Sequence, residues 1–351
     1  MRTLRTRRVA TARLTQHILE TGPGAGPEDP AGTVVFVHGN VSSSAFWQDT
    51  LHDVPERYRA IAVDLRGFGG TDPLPVDATR GLRDYADDLA ALLDALHVGG
   101  AHLVGWSLGG GVVLQYLRDR PSAVRSVTLV NPVSPYGFGG TRGEDGQLNS
   151  PDGAGSGGGT ANADFVRLLR EGDQGDGSPL SPRQVLATCY VKPPMRPARE
   201  DELVAAMLTT RVGDDHYPGD SMVCGTWPGV APGGRGVLNC LAPTHFRLDD
   251  LHTLPVLPPV TWIRGEDDVI VSDTSLFDLA HLGALGVVPD WNGTPAQPML
   301  AQTRHVLGLY ARAGGRVREV VVPGAGHAVH VERPREFGAA LLETLSEGAR
   351  T

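Results

Sequence analysis

One serine in this 351-residue chain is placed where its hydroxyl could be made to react. The stretch HLVGWSLGGG, residues 102–111, sets Ser107 between Gly105 and Gly109, with Gly110 and Gly111 behind. An ordinary tight turn needs one glycine or two. A strained turn that lifts a serine above a strand end and drops at once into a helix needs glycine two places before and two after. Bulkier side chains there would collide with the neighbouring strand and helix. The run HLV before and GGGVVLQYL after provide that strand and that helix, and close packing of the helix accounts for Gly110 and Gly111. A serine hydroxyl is a weak nucleophile, so it needs a base within hydrogen-bond reach and a third group to orient the base. The chemistry in view is attack on a carbonyl through a covalent acyl-serine.

Of twelve histidines, His327 follows the last apolar run in VVPGAGHAVHVERP, and its flanking glycines let a loop project the imidazole toward other strand ends. His330 is its near competitor. The orienting carboxylate is expected on the preceding strand's exit, where TWIRGEDDVIV offers Glu266, Asp267 and Asp268. Strand ends are where parallel sheets assemble sites, and position alone does not choose among the three. The developing oxyanion needs donors. The backbone N–H of Leu108, next to the serine at a helix N-terminus, is one. The second is expected from the loop after TVVFVHG, with Asn40 as the candidate.

These residues need a scaffold that brings several strand ends together. From residue 33 short apolar runs alternate with helical patterns, the signature of a mostly parallel sheet covered by helices. Strands are expected at TVVFVHG (33–39), from residue 58 in YRAIAVDL, at AHLVGW and at VRSVTLVNP (124–132), and later within 257–271 and 317–327. Residues 82–96 carry apolar side chains at helical spacing with acidic residues on the other face. The rhythm breaks after Pro132. Residues 133–160, rich in Gly, Ser, Asp and Pro, read as a mobile loop, and 139–159 as a moving lid or an undecorated loop. The division expected is a first core part, 1–132, an inserted cap, 133–254, and a second core part, 255–351.

Composition narrows the function classes. Thirty-one Lys and Arg stand against forty Asp and Glu, a formal charge of −9, which argues against a nucleic-acid footprint. Lys192 is the single lysine. Nothing approaches the roughly 18 apolar residues of a membrane-spanning helix, and no signal-peptide core follows the basic opening, so a soluble cytoplasmic protein is expected. Cys189, Cys224 and Cys240 lack metal-ligand spacing and are expected as free buried thiols, a Cys224–Cys240 bridge being the alternative.

In chain order Ser, acid, His, with the HG turn ahead, the sequence resembles the α/β-hydrolase superfamily over roughly 15–132 and 255–349. FVHGN is similar to its oxyanion strand and loop, with Trp47 at a familiar distance, and DLRGFGGTD to its D-x-R-G-x-G stretch through Asp64, Arg66, Gly67 and Gly69. GWSLGG resembles its nucleophile elbow. GEDDVIV resembles its acid loop, which selects Asp268, and GAGHAVHVERPREF its terminal motif, which selects His327 over His330. The serine sets the chain apart from the haloalkane dehalogenases and epoxide hydrolases, which carry aspartate there. The resemblance implies a doubly wound, mostly parallel sheet with an inserted, partly helical cap. Two stretches depart from the family pattern, the long insertion and residues 272–316, and both are expected to hang over the site.

Together these residues lead us to expect a serine hydrolase without cofactor or metal. Ser107 attacks, His327 transfers the proton, Asp268 orients His327, and the N–H groups of Asn40 and Leu108 hold the oxyanion. The substrate expected is a small to medium, largely apolar carboxylic ester, lactone or thioester, met by Trp106, Phe138 and Trp227. Tyr190, Met207 and Met222 are further cap candidates. Carbon–carbon bond hydrolysis or a cyclising acyltransfer on the same triad is the alternative, and a non-hydrolytic lyase or ligand receptor the alternative of another class. The only partner expected is that small molecule, with neither nucleic acid nor membrane.

Overall fold

Long apolar runs without polar alternation can be satisfied only between two covering layers, and here they form the middle of one sheet. The computed structural model describes residues 3–21 and 32–348. Its eight-stranded sheet comprises β1 (Leu4–Ala10), β2 (Thr15–Thr21), β3 (Gly32–Val37), β4 (Tyr58–Val63), β5 (Ala101–Trp106), β6 (Val124–Val130), β7 (Val260–Gly265) and β8 (Val317–Val322). The spatial order is β1-β2-β4-β3-β5-β6-β7-β8. Only β2 runs antiparallel to its neighbours. Strands β3 and β5 are buried at every position, whereas the edge strands β1 and β8 are largely open to solvent on one face.

Helix α1 (Arg83–Ala95) turns Tyr85, Ala86, Leu89, Leu92 and Leu93 inward, as the spacing predicts. Its acidic face is less solvated than expected. Asp84 and Asp88 are buried, and Asp88 accepts from Arg66 Nε (2.7 Å) and Nη2 (2.8 Å) and from Arg13 Nε (2.6 Å). Arg66 belongs to the DLRGFGG turn, so the aspartates tie that turn to the helix. A charge pattern that reads as a wet face is here a paired, half-buried network.

Helix α2 (Leu108–Asp119) starts directly at Ser107 and packs against β5. A side chain on Gly105 would strike the carbonyl of Gly109. One on Gly109 would strike the carbonyl oxygens of Val37 and His38 at the end of β3, and one on Gly110 would strike Pro132. Backbone cannot yield as a flexible side chain can. Gly109→Ala is therefore expected to lower stability by about 2–3 kcal/mol, read as a fall in the urea midpoint at unchanged m-value.

Between β6 and β7 residues 131–259 add no strand to the central sheet. Helices form at Ala163–Glu171 and Glu200–Met207. The Gly-rich stretch 133–160, expected as a mobile loop, is instead a succession of hydrogen-bonded turns with a small hairpin at Thr141–Arg142 and Gln147–Leu148. Its glycines serve positive φ and close approach. Gly139 (φ 77°) lies against the Gly155 carbonyl and Gly157 (φ 82°) against Asn239.

Two buried glutamines from the other long excursion fasten this stretch. Gln297 accepts from Gly139 N–H (2.6 Å) and donates to Gly137 O (3.0 Å), and Gln302 donates to Thr141 Oγ1 and Gly143 O (both 3.0 Å). Glycine content signalled flexibility. Tertiary hydrogen bonds supply the order. No helix among the described residues is long and apolar enough to cross a membrane. All three cysteines are free thiols, with Cys240 buried and Cys189 and Cys224 partly so.

Candidate active site

The site is assembled at the C-terminal ends of β3, β5, β7 and β8. Ser107 has φ 56° and ψ −119°, a conformation costly for any residue with a Cβ. The backbone holds it there: Ser107 N–H donates to Val130 O (3.0 Å), and its carbonyl accepts from Gly110 (2.9 Å) and Val133 (3.1 Å). Ser107 keeps partial exposure where its neighbours Trp106 and Leu108 are buried.

His327 and Asp268 meet. Nδ1 of His327 lies 2.8 Å from Oδ2 of Asp268, and both residues are buried. The other oxygen, Oδ1, accepts from the N–H groups of Ile270 (2.7 Å) and Val271 (3.1 Å). The carboxylate is thereby fixed in rotation, with one oxygen given to backbone and one to imidazole. Glu266 is exposed, and Asp267 turns to Lys192 Nζ at 2.6 Å. His330 goes elsewhere: its ring stacks on Trp47 at 4.0 Å, and neither nitrogen has a hydrogen-bond partner among the described residues. Ser107 Oγ makes no hydrogen bond among the described residues.

Gly39 carries the first donor loop up to the serine, since a Cβ there would stand 3.1 Å from Ser107 Cβ. The N–H groups of Asn40 and Leu108 have no protein acceptor among the described residues, which leaves both free for an anion. His38 supports this loop. Its Nε2 accepts from Leu65 N–H (3.0 Å), so Nδ1 carries the proton and donates to Gly39 O (2.7 Å). Burial lowers its pKa and keeps it neutral.

Of the expected substrate contacts, Trp106 is corrected. It is fully buried, donates Nε1–H to His327 O (3.0 Å) and packs edge-on to Tyr190, so it stands behind the site and supports the base. Trp227 hydrogen-bonds Pro289 O (3.0 Å) and borders Gly283 with Trp291. Phe138 is partly buried against the core with its N–H on Leu241 O (2.8 Å).

Sequence reasoning missed Asn131. Its Nδ2 donates to His327 O (2.7 Å) and Gly326 O (3.1 Å), while its Oδ1 accepts from Gly265 N–H (3.1 Å). One amide thus ties the base loop to the root of the acid loop. Its sequence signal was only a polar residue closing an apolar strand before Pro132. Glu332 has a similar office, accepting from Gly326 N–H (2.7 Å) and Lys192 N–H (3.0 Å), and burial raises its pKa.

Buried histidines outside the pair, His38, His102 and His330, give the protein an acid limit. Burial lowers His102 to about 4 and His330 to about 3. The unfolded chain takes up these protons below about 6.5, whereas the folded chain resists. Stability is therefore full above about pH 6.5 and falls as pH drops toward 4 and 3, by about 1.4 kcal/mol per pH unit for each group. Urea midpoints measured from pH 7 to 4 check this, and His102→Gln is expected to flatten the slope.

With the geometry in place, comparison with known proteins bears on the fold. A family described as alpha/beta hydrolase fold matches residues 32–157, from β3 through the elbow into the first turns of the insertion. A carboxylesterase structure from Bacillus subtilis superimposes with a TM-score of 0.61, covering 98% of this chain and 92% of that one at 16% identity. The chain has the α/β-hydrolase fold. Among curated relatives, an uncharacterized carboxylesterase of Bacillus subtilis (strain 168) is 34% identical over 113 residues, 32% of this chain and 37% of the relative. The dihydrolipoyllysine-residue acetyltransferase component of the acetoin cleaving system of Cupriavidus necator is 38% identical over 109 residues, 31% of this chain and 28% of the relative. The alignments with curated relatives span between 22% and 43% of the relatives' own length.

Proposed function

We propose that this α/β-hydrolase is a serine hydrolase that needs no cofactor and cleaves a carboxylic ester, lactone or thioester of a small to medium, largely apolar substrate. Ser107 attacks the carbonyl, His327 takes the proton and returns it to the leaving oxygen, and Asp268 holds the imidazole tautomer and stabilises its charged form. The N–H groups of Asn40 and Leu108 hold the oxyanion, and water releases the acyl group. The observation that carries this reading is the buried 2.8 Å contact of His327 with Asp268, beside a serine held at positive φ. The relative named a carboxylesterase supports the ester class.

Residues 133–254 are read as the cap. Arg211 N–H donates to Gly67 O (2.8 Å) and Gly69 N–H to Thr209 Oγ1 (3.0 Å), contacts with the loop after β4 that support this reading. Three unpaired thiols fit a reducing compartment, which supports a cytoplasmic location.

Active-site labelling tests the reading. A fluorophosphonate is expected to modify one peptide, that containing Ser107, with loss of p-nitrophenyl butyrate hydrolysis in proportion to labelling. Full labelling with undiminished turnover would remove Ser107 from the mechanism.

A further inference from the structure

One short strap of the insertion touches the site. Residues Leu186–Tyr190 form a π-helical turn, closed by Val191 N–H on Leu186 O at 3.1 Å. Such wide turns interrupt regular helices and often mark functional positions. From its last residue onward, three consecutive residues, Tyr190 to Lys192, meet the three loops proposed for catalysis. Tyr190 Oη donates to Asn40 O (2.8 Å) and lies 3.3 Å from Val41 O. Tyr190 O accepts from Ala328 N–H (2.7 Å), next to His327. Gly326 closes on the Val191–Lys192 peptide so tightly that a Cβ would sit 3.0 Å from Lys192 N. Lys192 reaches Asp267, beside Asp268.

The oxyanion loop gives this strap a purpose. Val41 has φ 44°, which a β-branched residue adopts only under constraint. Strain of this kind persists where surroundings over-determine it, at about 1–3 kcal/mol. The carbonyls on both sides of that strained φ are the ones the Tyr190 phenol faces. The ring is locked against Trp106 (5.5 Å) and Phe46 (6.2 Å), and burial pushes its pKa well above the phenol range, so the hydroxyl stays a donor.

We infer that Tyr190 is a positioning residue for the oxyanion hole: its hydroxyl holds the strained Asn40–Val41 turn, and so aims the Asn40 N–H at the anion that forms on Ser107. The oxyanion donor is thus set by the insertion as well as by the core. This rests on the proposed roles of Ser107 and Asn40.

Tyr190→Phe in the full chain keeps the ring and removes the one contact. Turnover of p-nitrophenyl butyrate is counted per fluorophosphonate-titrated Ser107, so unfolded molecules drop out of the count. The expected result is a kcat lower by about 10- to 100-fold with KM within about twofold, below the 10²–10³ cost of losing an oxyanion donor outright. A role confined to packing would not produce that split. Val41→Gly removes the steric penalty at positive φ, so the Val41→Gly/Tyr190→Phe double variant is expected to recover part of the lost kcat. A Tyr190→Phe chain with wild-type kcat per site, or with its loss confined to KM, overturns the inference and leaves the Ser107 reading intact. A wild-type chain that takes no fluorophosphonate overturns both.

Discussion

Ser107→Ala is expected to lower kcat/KM for p-nitrophenyl butyrate by at least about 10⁴-fold while leaving the melting temperature within about 2 °C of wild type. The size of the loss reflects what the hydroxyl alone supplies. Without it no acyl-enzyme forms, and only the oxyanion donors and substrate positioning remain, worth about 10³–10⁴ over water in comparable sites. The small effect on stability has a structural cause: Ser107 Oγ holds nothing together among the described residues, and the backbone bonds to Val130, Gly110 and Val133 are untouched. Alanine keeps the Cβ and hence the strain at φ 56°. Ser107→Gly separates the two properties. It should be equally inactive yet more stable by about 1 kcal/mol, the strain relieved less the entropy cost of glycine. Thermal melts of the two variants beside their turnover provide the check. A Ser107→Ala chain retaining a tenth of wild-type activity would sink the covalent mechanism.

Asp268→Asn is expected to cost about 10³–10⁴ in kcat with little change in fold, and here the hydrogen bonds dictate why. Oδ1 already accepts from Ile270 and Val271 N–H, so an asparagine must keep its carbonyl oxygen on that side. Its NH₂ then faces His327 Nδ1, where the carboxylate oxygen stood at 2.8 Å. Two donors cannot share that contact, so Nδ1 must become the acceptor and the ring proton moves to Nε2. The nitrogen that should take the serine proton then already carries one. Asp267→Asn, one residue away and paired outward to Lys192, should leave kcat within about twofold. Equal effects at the two positions would contradict the assignment of the acid.

The residue types proposed for the chemistry were legible where their constraints are local. Glycines at 105 and 109 are required by the approach of helix α2 to the ends of β5 and β3, and a serine between a buried strand and a helix start has few other uses. The choice among Glu266, Asp267 and Asp268 was different. Nothing in the residues themselves distinguishes three adjacent carboxylates, and only resemblance singled out Asp268. The structure gives the physical reason: one faces solvent, one faces Lys192, and one is turned inward by two backbone N–H groups.

Composition misled where side-chain chemistry depends on distant partners. The Gly-rich stretch after β6 reads as mobile because glycine loosens an isolated chain. Gln297 and Gln302, over 150 residues away, order it. Trp106 reads as a substrate contact from its place beside the serine, yet strand alternation and the fit of Tyr190 bury it behind His327.

By itself, then, the sequence determined the parallel strands from residue 33 onward and the elbow, and it offered candidates for the reacting side chains, since these arise from periodicity, glycine sterics and short motifs within about ten residues. Tertiary structure alone decided what holds them in register. Asn131 joins the acid and base loops, Glu332 braces the base loop, and Tyr190 reaches from the insertion to the oxyanion turn. Each of these acts through two or three hydrogen bonds to backbone atoms, and in every case at least one partner is far off in the chain. Backbone carbonyls and N–H groups are the same at every residue, so no pattern of side chains announces such a bond before the chain has folded.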